Sequence, residues 1–525
     1  MRASAVLTSS GGVRTPPGAP FSPMDYGAKA NGTTSDANAF LLAAQAAVAA
    51  GGHVRVPAGT YLTAAFNLTS NAVVVCDPGV EIRQSGTLGI LGTSTWLGGT
   101  FRCQGAAVGV CMGVSATSTV SKAALRGVTF AAGVSPPAGY SRAALQVTRA
   151  TDSLVEQCAF QSGASSGANI EMFSGIRFAI KDNVISGGAT GIKFGWGRSM
   201  AGTLNAAGIW GWTIAGNTIS GQTGEGILFE CSSQGADTPS IEAAKVAAIS
   251  GQTITLEAFS GAYQNVQWLD MVPLDGALAG RWLRLTAQSG AKLETFTVAD
   301  DISSLKVGDP VVIAAPYRSG TIVGNDITAA PGRAAILLNG LCLDNRIVGN
   351  RCVDGGIDVR SVDNLPIATG RVSPGWGRAP SAFNVIDGNI LGGAGVSSLP
   401  LDLSQVAGSA SYGAPDAWPA TLRTQGMDVS ANTAAAIQVK DTAVYAAGNL
   451  TAAGEPTLID SLGGNTFPSI PFSPAPALAS TLSMSASLTS KAPPPAPPAR
   501  FRVTVARNRW RACVLPQQST AKLRT

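Results

Sequence analysis

Apolar positions recur in one short pattern between about Leu125 and Leu391. An aliphatic residue is followed three places on by a marker, usually Asn after Gly, and two places later by a second apolar residue. The markers are Val128, Cys158, Asn183, Asn217, Asn325, Asn350 and Asn389. Three residues before them stand Leu125, Val155, Ile180, Ile214, Ile322, Ile347 and Ile386, and two after them Phe130, Phe160, Ile185, Ile219, Ile327, Cys352 and Leu391. Spacings of 30, 25, 34, 108, 25 and 39 residues are mostly too short for βαβ units and too irregular for a helical-hairpin repeat. Each interval fits one turn of a solenoid of strands.

A second pattern near each marker alternates with period two, the signature of a strand with two faces. The pairs Leu145 and Val147, Ile170 and Met172, Ile192 and Phe194, Ile227 and Phe229, Ile336 and Leu338, and Ile357 and Val359 are expected to point inward. Gln146, Thr148, Glu171, Phe173, Lys193, Gly195, Leu228, Glu230, Leu337, Asn339, Asp358 and Arg360 then face outward. Stacked in register on one parallel sheet, with strands about 4.8 Å apart, such positions form the wall on which any chemistry must be built.

The other segments are read against this frame. Asp36 or a neighbour can cap a helix over Ala37 to Ala50, which Gly51 and Gly52 end before a strand begins at His53. This helix is expected to close the open first turn of the solenoid. From about Gly235 to Tyr317, alternating runs separated by Gly-containing turns predict a small β module inserted in the solenoid. After Leu391 the register fades, although the AGN at 447 to 449 echoes it, and from Pro468 the chain is rich in Pro, Ala and Ser. The expected division is a flexible arm at 1–20, solenoid with capping helix at 21–234, the insert at 235–317, continued coils at 318–467, and a linker with basic tail at 468–525.

Only 13% of residues are charged, against about a quarter in ordinary soluble domains, and Gly numbers 63 of 525. That suits a chain of many tight turns. The net charge of +5 is an effect of the end of the chain, where Lys491 to Thr525 holds eight basic residues and no acid, leaving −3 for the remainder. A nearly neutral body speaks against nucleic-acid binding. No apolar run reaches the roughly 20 residues of a membrane span, and the start lacks the apolar core of a secretory signal. The eight cysteines include no CxxC pair, so neither zinc nor another cofactor is expected; Cys158 and Cys352 read as core fillers.

The stretch DYGAKANGTTSDANAF, the Ala-rich helix after it and GGHVRVPAGTYL resemble the opening of the pectate-lyase-like right-handed parallel β-helix superfamily, as it occurs in bacteriophage tailspikes and in bacterial polysaccharide lyases, hydrolases and epimerases. The resemblance covers roughly residues 21 to 400. It implies an all-β, right-handed parallel β-helix and a homotrimer of side-by-side helices that binds a bacterial surface polysaccharide. For a tailspike or tail fibre it further implies a place on the virion tail, with contacts to other tail or baseplate proteins through the N-terminal arm. The alternatives are a bacterial polysaccharide lyase, hydrolase or epimerase exported without a recognisable signal, and a non-catalytic structural or adhesive β-helix.

Because the fold serves many reactions, chemistry has to come from the site. The lone histidine, His53, sits in a structural strand, which removes histidine triads and multi-histidine metal sites. What remains is carboxylate chemistry, or elimination with Arg177, Lys193 or Arg198 as base. Glycoside cleavage needs two carboxyls flanking the bond. Glu171 and Glu230, two rungs and about 9.6 Å apart along the axis plus a lateral offset, are the candidate pair, with Lys193 between them and Glu225 in reserve. Asp358 with Arg360 is a second candidate set. Trp196, Arg198 and Trp210, in the stretch GWGRSMAGTLNAAGIWGW, offer a cation and flat apolar faces to sugar rings, while Trp212 fits the core. The competing readings are a solvated ion-pair ladder and a loop packed on itself.

Overall fold

The computed structural model describes residues 18–501 apart from 104–108, 114–119, 132–142, 163–166, 174, 196–208, 231–240, 258–268, 291–293, 315, 340–341, 361, 364–377, 380, 394, 399–423, 435, 440–441, 448, 454–457 and 462–499. Three long sheets and one shorter sheet make up the solenoid, with parallel pairing throughout except that Arg500–Phe501 pairs antiparallel with Leu458–Ser461. Sheet I has 13 strands, from Pro20–Phe21 to Thr442–Ala447, sheet II 11, from Asn31–Ser35 to Ile390–Leu391, and sheet III 13, from Phe66–Asn67 to Arg500–Phe501. Sheet IV has six short strands, from Val120–Ser121 to Cys342–Leu343. The chain passes from sheet I to II to III to IV and back, one strand per sheet in each middle coil, and makes a right-handed parallel β-helix.

Register is set by two-residue turns between sheets I and II. In each, a residue in the left-handed region comes first: Gly127, Gln157, Asp182, Gly216, Gly324, Gly349 and Gly388, with φ between 54° and 64°. The marker residue follows and points inward. Asn183, Asn217, Asn325, Asn350 and Asn389 are all about 1% exposed or less. From Asn217 on, each side-chain oxygen accepts both the backbone N–H and the side-chain amide of the marker one coil earlier, as Asn325 does from Asn217 at 3.0 and 2.8 Å. The amide in turn donates back to a carbonyl of the coil before, Asn325 Nδ2 to Ile214 O at 3.1 Å, and on to the next marker, Asn350 Oδ1, at 2.9 Å. Every buried polar group at this corner is thereby satisfied by the coil above or below it.

This ladder runs further than the sequence pattern suggested. Asn432 follows Ala431, a non-glycine residue at φ 51°, accepts from Asn389 and donates to Asn449. Asn432 is flanked by Val429 and Ala434 and Asn449 by Ala446 and Thr451, so the large apolar frame fades after Leu391 while the Asn ladder continues. A second, shorter ladder joins Asn345 to Asn384 at the corner between sheets IV and I.

Inside, like stacks on like. Phe101, Phe130 and Phe160 from sheet II stack with centroids 5.7 and 4.5 Å apart, and Phe194 and Phe229 from sheet III at 4.2 Å. Leu145, Ile170, Ile192, Ile227, Ile336 and Ile357 pair in successive register, all but fully buried. Each such side chain contributes about 1.5–3 kcal/mol by leaving water. Cys158 and Cys352 fill this core, and burial pushes their thiols up to about 12.

The helix Ala37–Ala49 covers the first coil with Phe40, Ala43, Ala44 and Ala47. Asp36 is not its side-chain cap: its Oδ1 accepts the Lys29 N–H at 2.6 Å, tying the preceding loop to the helix start. Pro20–Phe21, at the end of the expected arm, pairs with His53–Val54 as the first strand of sheet I. Residues 241–314 form a closed antiparallel barrel of six strands with its own apolar core, including Val246, Ile254, Leu285 and Phe296.

Two outcomes follow for stability. Asn325→Leu removes the acceptor of two buried donors on Asn217 and should cost roughly 3 kcal/mol, read as a lower denaturant midpoint. His53 is buried with neither ring nitrogen hydrogen-bonded, and burial followed by the charge of Arg55 lowers its pKa below 6.5. The unfolded chain therefore binds this proton first, so the stability it contributes is complete above 6.5 and declines as pH falls through 6.5 toward the folded value. Thermal melts between pH 7 and 5 should show a downward slope that His53→Leu reduces.

Candidate functional site

All seven turns between sheets I and II from Gly127 to Asn389 have two residues, whereas the connections entering and leaving sheet III vary widely. They include 132–144, 163–167 and 221–226 on the way in, and 195–208 and 231–316 on the way out. The second of these exits carries the barrel. Sheet III is thus the face flanked by long segments on both sides, and its outward side chains form the floor between them.

One column of that floor reads Cys111, Gln146, Glu171, Lys193, Leu228, Leu337, Asp358 and Ser397 in register. Gln146 Nε2 donates to Glu171 Oε2 at 3.5 Å, and the Cys111 thiol lies 3.5 Å from Gln146 Oε1. Glu171 and Lys193 are half-buried neighbours, and both reach the space over Gly195. The register brings Gln146, Glu171 and Lys193 together on consecutive rungs.

Glu230 stands apart from that cluster. Lys193 pairs with Leu228, so Glu230 is two strands from Glu171 and two residues further along. The Cα separation is then about 12 Å, and any closer approach of the carboxyls depends on where their side chains lean. Glu230 belongs to the second outward column, in register with Asn339 and Arg360. The side chains of Glu230 and Arg360 lie outside the described residues, as do Trp196 and Arg198 altogether.

Asp358 is only 8% exposed and is separated from Lys193 by Leu228 and Leu337, themselves 9% and 6% exposed. Two apolar rungs therefore divide the floor into a Gln146–Glu171–Lys193 part and an Asp358 part. Trp212 is core, 2% exposed and packed on Phe229 with centroids 4.8 Å apart.

Trp210 is in a strand of sheet IV, Ile209–Trp210, and not in a loop. Its ring lies under two guanidinium groups, Arg284 of the barrel at 5.6 Å and Arg318 of sheet IV at 5.9 Å. Arg318 also pairs with Asp270, a barrel carboxylate whose side chain is 2% exposed. Val272, Leu274 and Val312 of the barrel share one apolar cluster with the solenoid, and Trp282 packs against it. Trp210 is therefore part of the seat of the barrel, held by apolar burial, cation–π contact and one buried ion pair. Arg284, Arg318 and Asp270 had no periodic signal, because they meet only when the barrel docks.

Among the described residues no three His, Cys, Asp or Glu side chains come together as a metal site, and no helix is long and apolar enough to cross a membrane. Cys76, Cys111, Cys158 and Cys352 are free thiols.

No family model and no curated protein matches the chain. Among solved structures it is similar to the A-module of the Azotobacter vinelandii mannuronan C-5 epimerase AlgE4, at 14% identity and a TM-score of 0.42, over 84% of this chain and 100% of that one. It is also similar to the Dettilon tailspike protein gp208, at 13% identity and 0.39, over 85% and 70%. A third likeness is to the Streptococcus pneumoniae surface adhesin PfbA, at 11% identity and 0.41, over 84% and 100%. At such low identity the fold rests on this chain's own sheet register.

The barrel's seat is open to test. Asp270→Ala leaves the half-buried Arg318 without its barrel carboxylate, Asp344 remaining nearby, and should cost about 1–3 kcal/mol in urea unfolding, while Asp270→Leu with Arg318→Met should recover much of the loss.

Proposed function

We propose that the protein binds a bacterial surface polysaccharide along the outward floor of sheet III and cleaves it there by carboxylate chemistry. The observation that carries this is the contiguous rung set Gln146, Glu171 and Lys193, half-buried or buried, on the one face flanked by long connections. In a chain with so few charges, an acid and a base side by side on a partly water-shielded floor between long connections favour contact with a ligand. An extended groove floor also suits a polymer, since successive sugars can contact successive rungs.

In this proposal Glu171 is one of the two carboxyls that flank the glycosidic bond and Glu230 the other, with Lys193 favouring the ionised form of its neighbour. Trp196, Arg198 and Arg360 contribute to holding the sugar, and Asp358 serves a further subsite. The sequence resemblance supports the same class of ligand. With it goes the proposal of a bacteriophage tailspike or tail fibre, a homotrimer on the virion tail that meets its tail partners through the N-terminal arm.

The experiment is incubation with purified capsular and lipopolysaccharide preparations from candidate hosts, following reducing ends and ultraviolet absorbance together. New reducing ends without absorbance are expected, and Glu171→Gln should lower the rate by about 10²–10⁴-fold. Absorbance from unsaturated ends would instead assign elimination, with Lys193 as the base to test. Undiminished cleavage by both Glu171→Gln and Glu230→Gln would remove the proposed pair.

A further inference from the structure

The floor of sheet III has one position with no side chain between charged neighbours, Gly195. Its backbone does not demand glycine: its N–H continues the ladder to the Met172 carbonyl at 3.0 Å, and its φ is not left-handed. Gly187 contrasts with it, since there φ is +71° and a Cβ would run into the Ser162 carbonyl. A Cβ on Gly195 would find side chains as its three nearest neighbours, Glu171 Oε1 at 3.2 Å, Lys193 Cε at 3.7 Å and Glu171 Cγ at 3.8 Å. The glycine leaves a hollow, and the Glu171 carboxylate is turned toward it.

The other carboxylate oxygen faces the rung before. Burial pushes the Cys111 thiol up to about 12, so it stays protonated and can donate to Gln146 Oε1. With its oxygen toward that donor, the amide presents its NH₂ to Glu171 Oε2. Glu171 thus lies between the oriented amide of Gln146 on one rung and, on the other side, Lys193 and the space over Gly195.

We propose that Gln146 and Gly195 are positioning residues for Glu171, the amide steering one carboxylate oxygen and the hollow admitting the other toward the strand that carries Glu230. Gly195 follows Phe194, which pairs with Phe229, so the hollow lies one rung, about 4.8 Å, from the Glu230 backbone. The gap of about 12 Å between the two Cα atoms is shortened from the Glu171 side, toward a spacing at which two carboxyls can flank a glycosidic bond. This inference rests on Glu171 being one of the two carboxyls of the proposed polysaccharide site.

A contact of 3.2 Å forces the carboxylate aside by a few tenths of an ångström, and small misplacements of a reacting group carry large rate penalties. Gly195→Ala and Gln146→Met are therefore expected to lower kcat roughly tenfold with KM nearly unchanged and thermal midpoints close to that of the parent protein. A readout that needs no substrate runs in parallel: carbodiimide coupling of a small amine to the folded full-length protein, quantified at Glu171 by peptide mass, with Glu81 as reference. Gln146→Met, which removes a donor to the carboxylate, should raise labelling at Glu171 several-fold, Gly195→Ala, which fills the space beside it, should lower it, and both should leave Glu81 unchanged. Labelling of Glu171 that stays at the parent level in both variants would overturn the inference, as would an unchanged kcat. Should Glu171→Gln leave cleavage intact while labelling responds as expected, the failure belongs to the proposed function and not to the placement of the carboxylate.

Discussion

Coil-to-coil hydrogen bonding at the corner between sheets I and II is the constraint on which the molecule depends. A left-handed residue turns the chain, and the next side chain enters a corner where it must satisfy groups from the neighbouring coils. Asn suits this because one oxygen can accept two donors while its amide donates onward. From Asn183 to Asn449 that arrangement repeats even across the 108 residues separating Asn217 from Asn325, so the barrel is inserted without disturbing the stack. Where Cys158 takes the place, its backbone N–H still donates to Asn183 Oδ1 at 2.9 Å, and the ladder ends toward the apolar first coils.

With one corner held rigid, length variation is driven to the opposite side. Both borders of sheet III take up long connections, and the largest is a folded barrel with a core of its own. The barrel is fastened through Trp210, Arg284, Arg318 and Asp270. Aromatic and basic residues that in sequence look like a sugar platform are in this instance spent on fastening, because a buried carboxylate such as Asp270 has to be paired and a guanidinium stacks well on indole. Fixing the barrel beside the floor also keeps the flank of the floor in one place.

The floor itself shows how a parallel sheet makes a site from residues far apart in the chain. Cys111, Gln146, Glu171 and Lys193 come from four successive coils, yet the strand spacing of about 4.8 Å puts each within reach of the next. Leu228 and Leu337 then interrupt the polar column, so Asp358 is isolated from the first acid by apolar rungs.

Much of this was legible from residue order alone. The Asn markers, the paired Ile and Leu positions and the Ala-rich helix determined a solenoid, because periodic burial leaves a periodic trace, and they placed Glu171 and Lys193 on adjacent outward rungs. Asn449 showed only as an echo, its neighbours Ala446 and Thr451 being poor rung residues, while Asn432 and the Asn345–Asn384 pair at the other corner escaped, although the hydrogen bonds they make are the same. Tertiary structure alone decided that Asp36 ties a loop and that Trp210 lies beneath two arginines, whereas the offset of Glu230 from Glu171 was already present in the alignment of Ile170 with Ile227. The first two outcomes depend on which surfaces dock. Local periodicity reports only whether a side chain faces in or out.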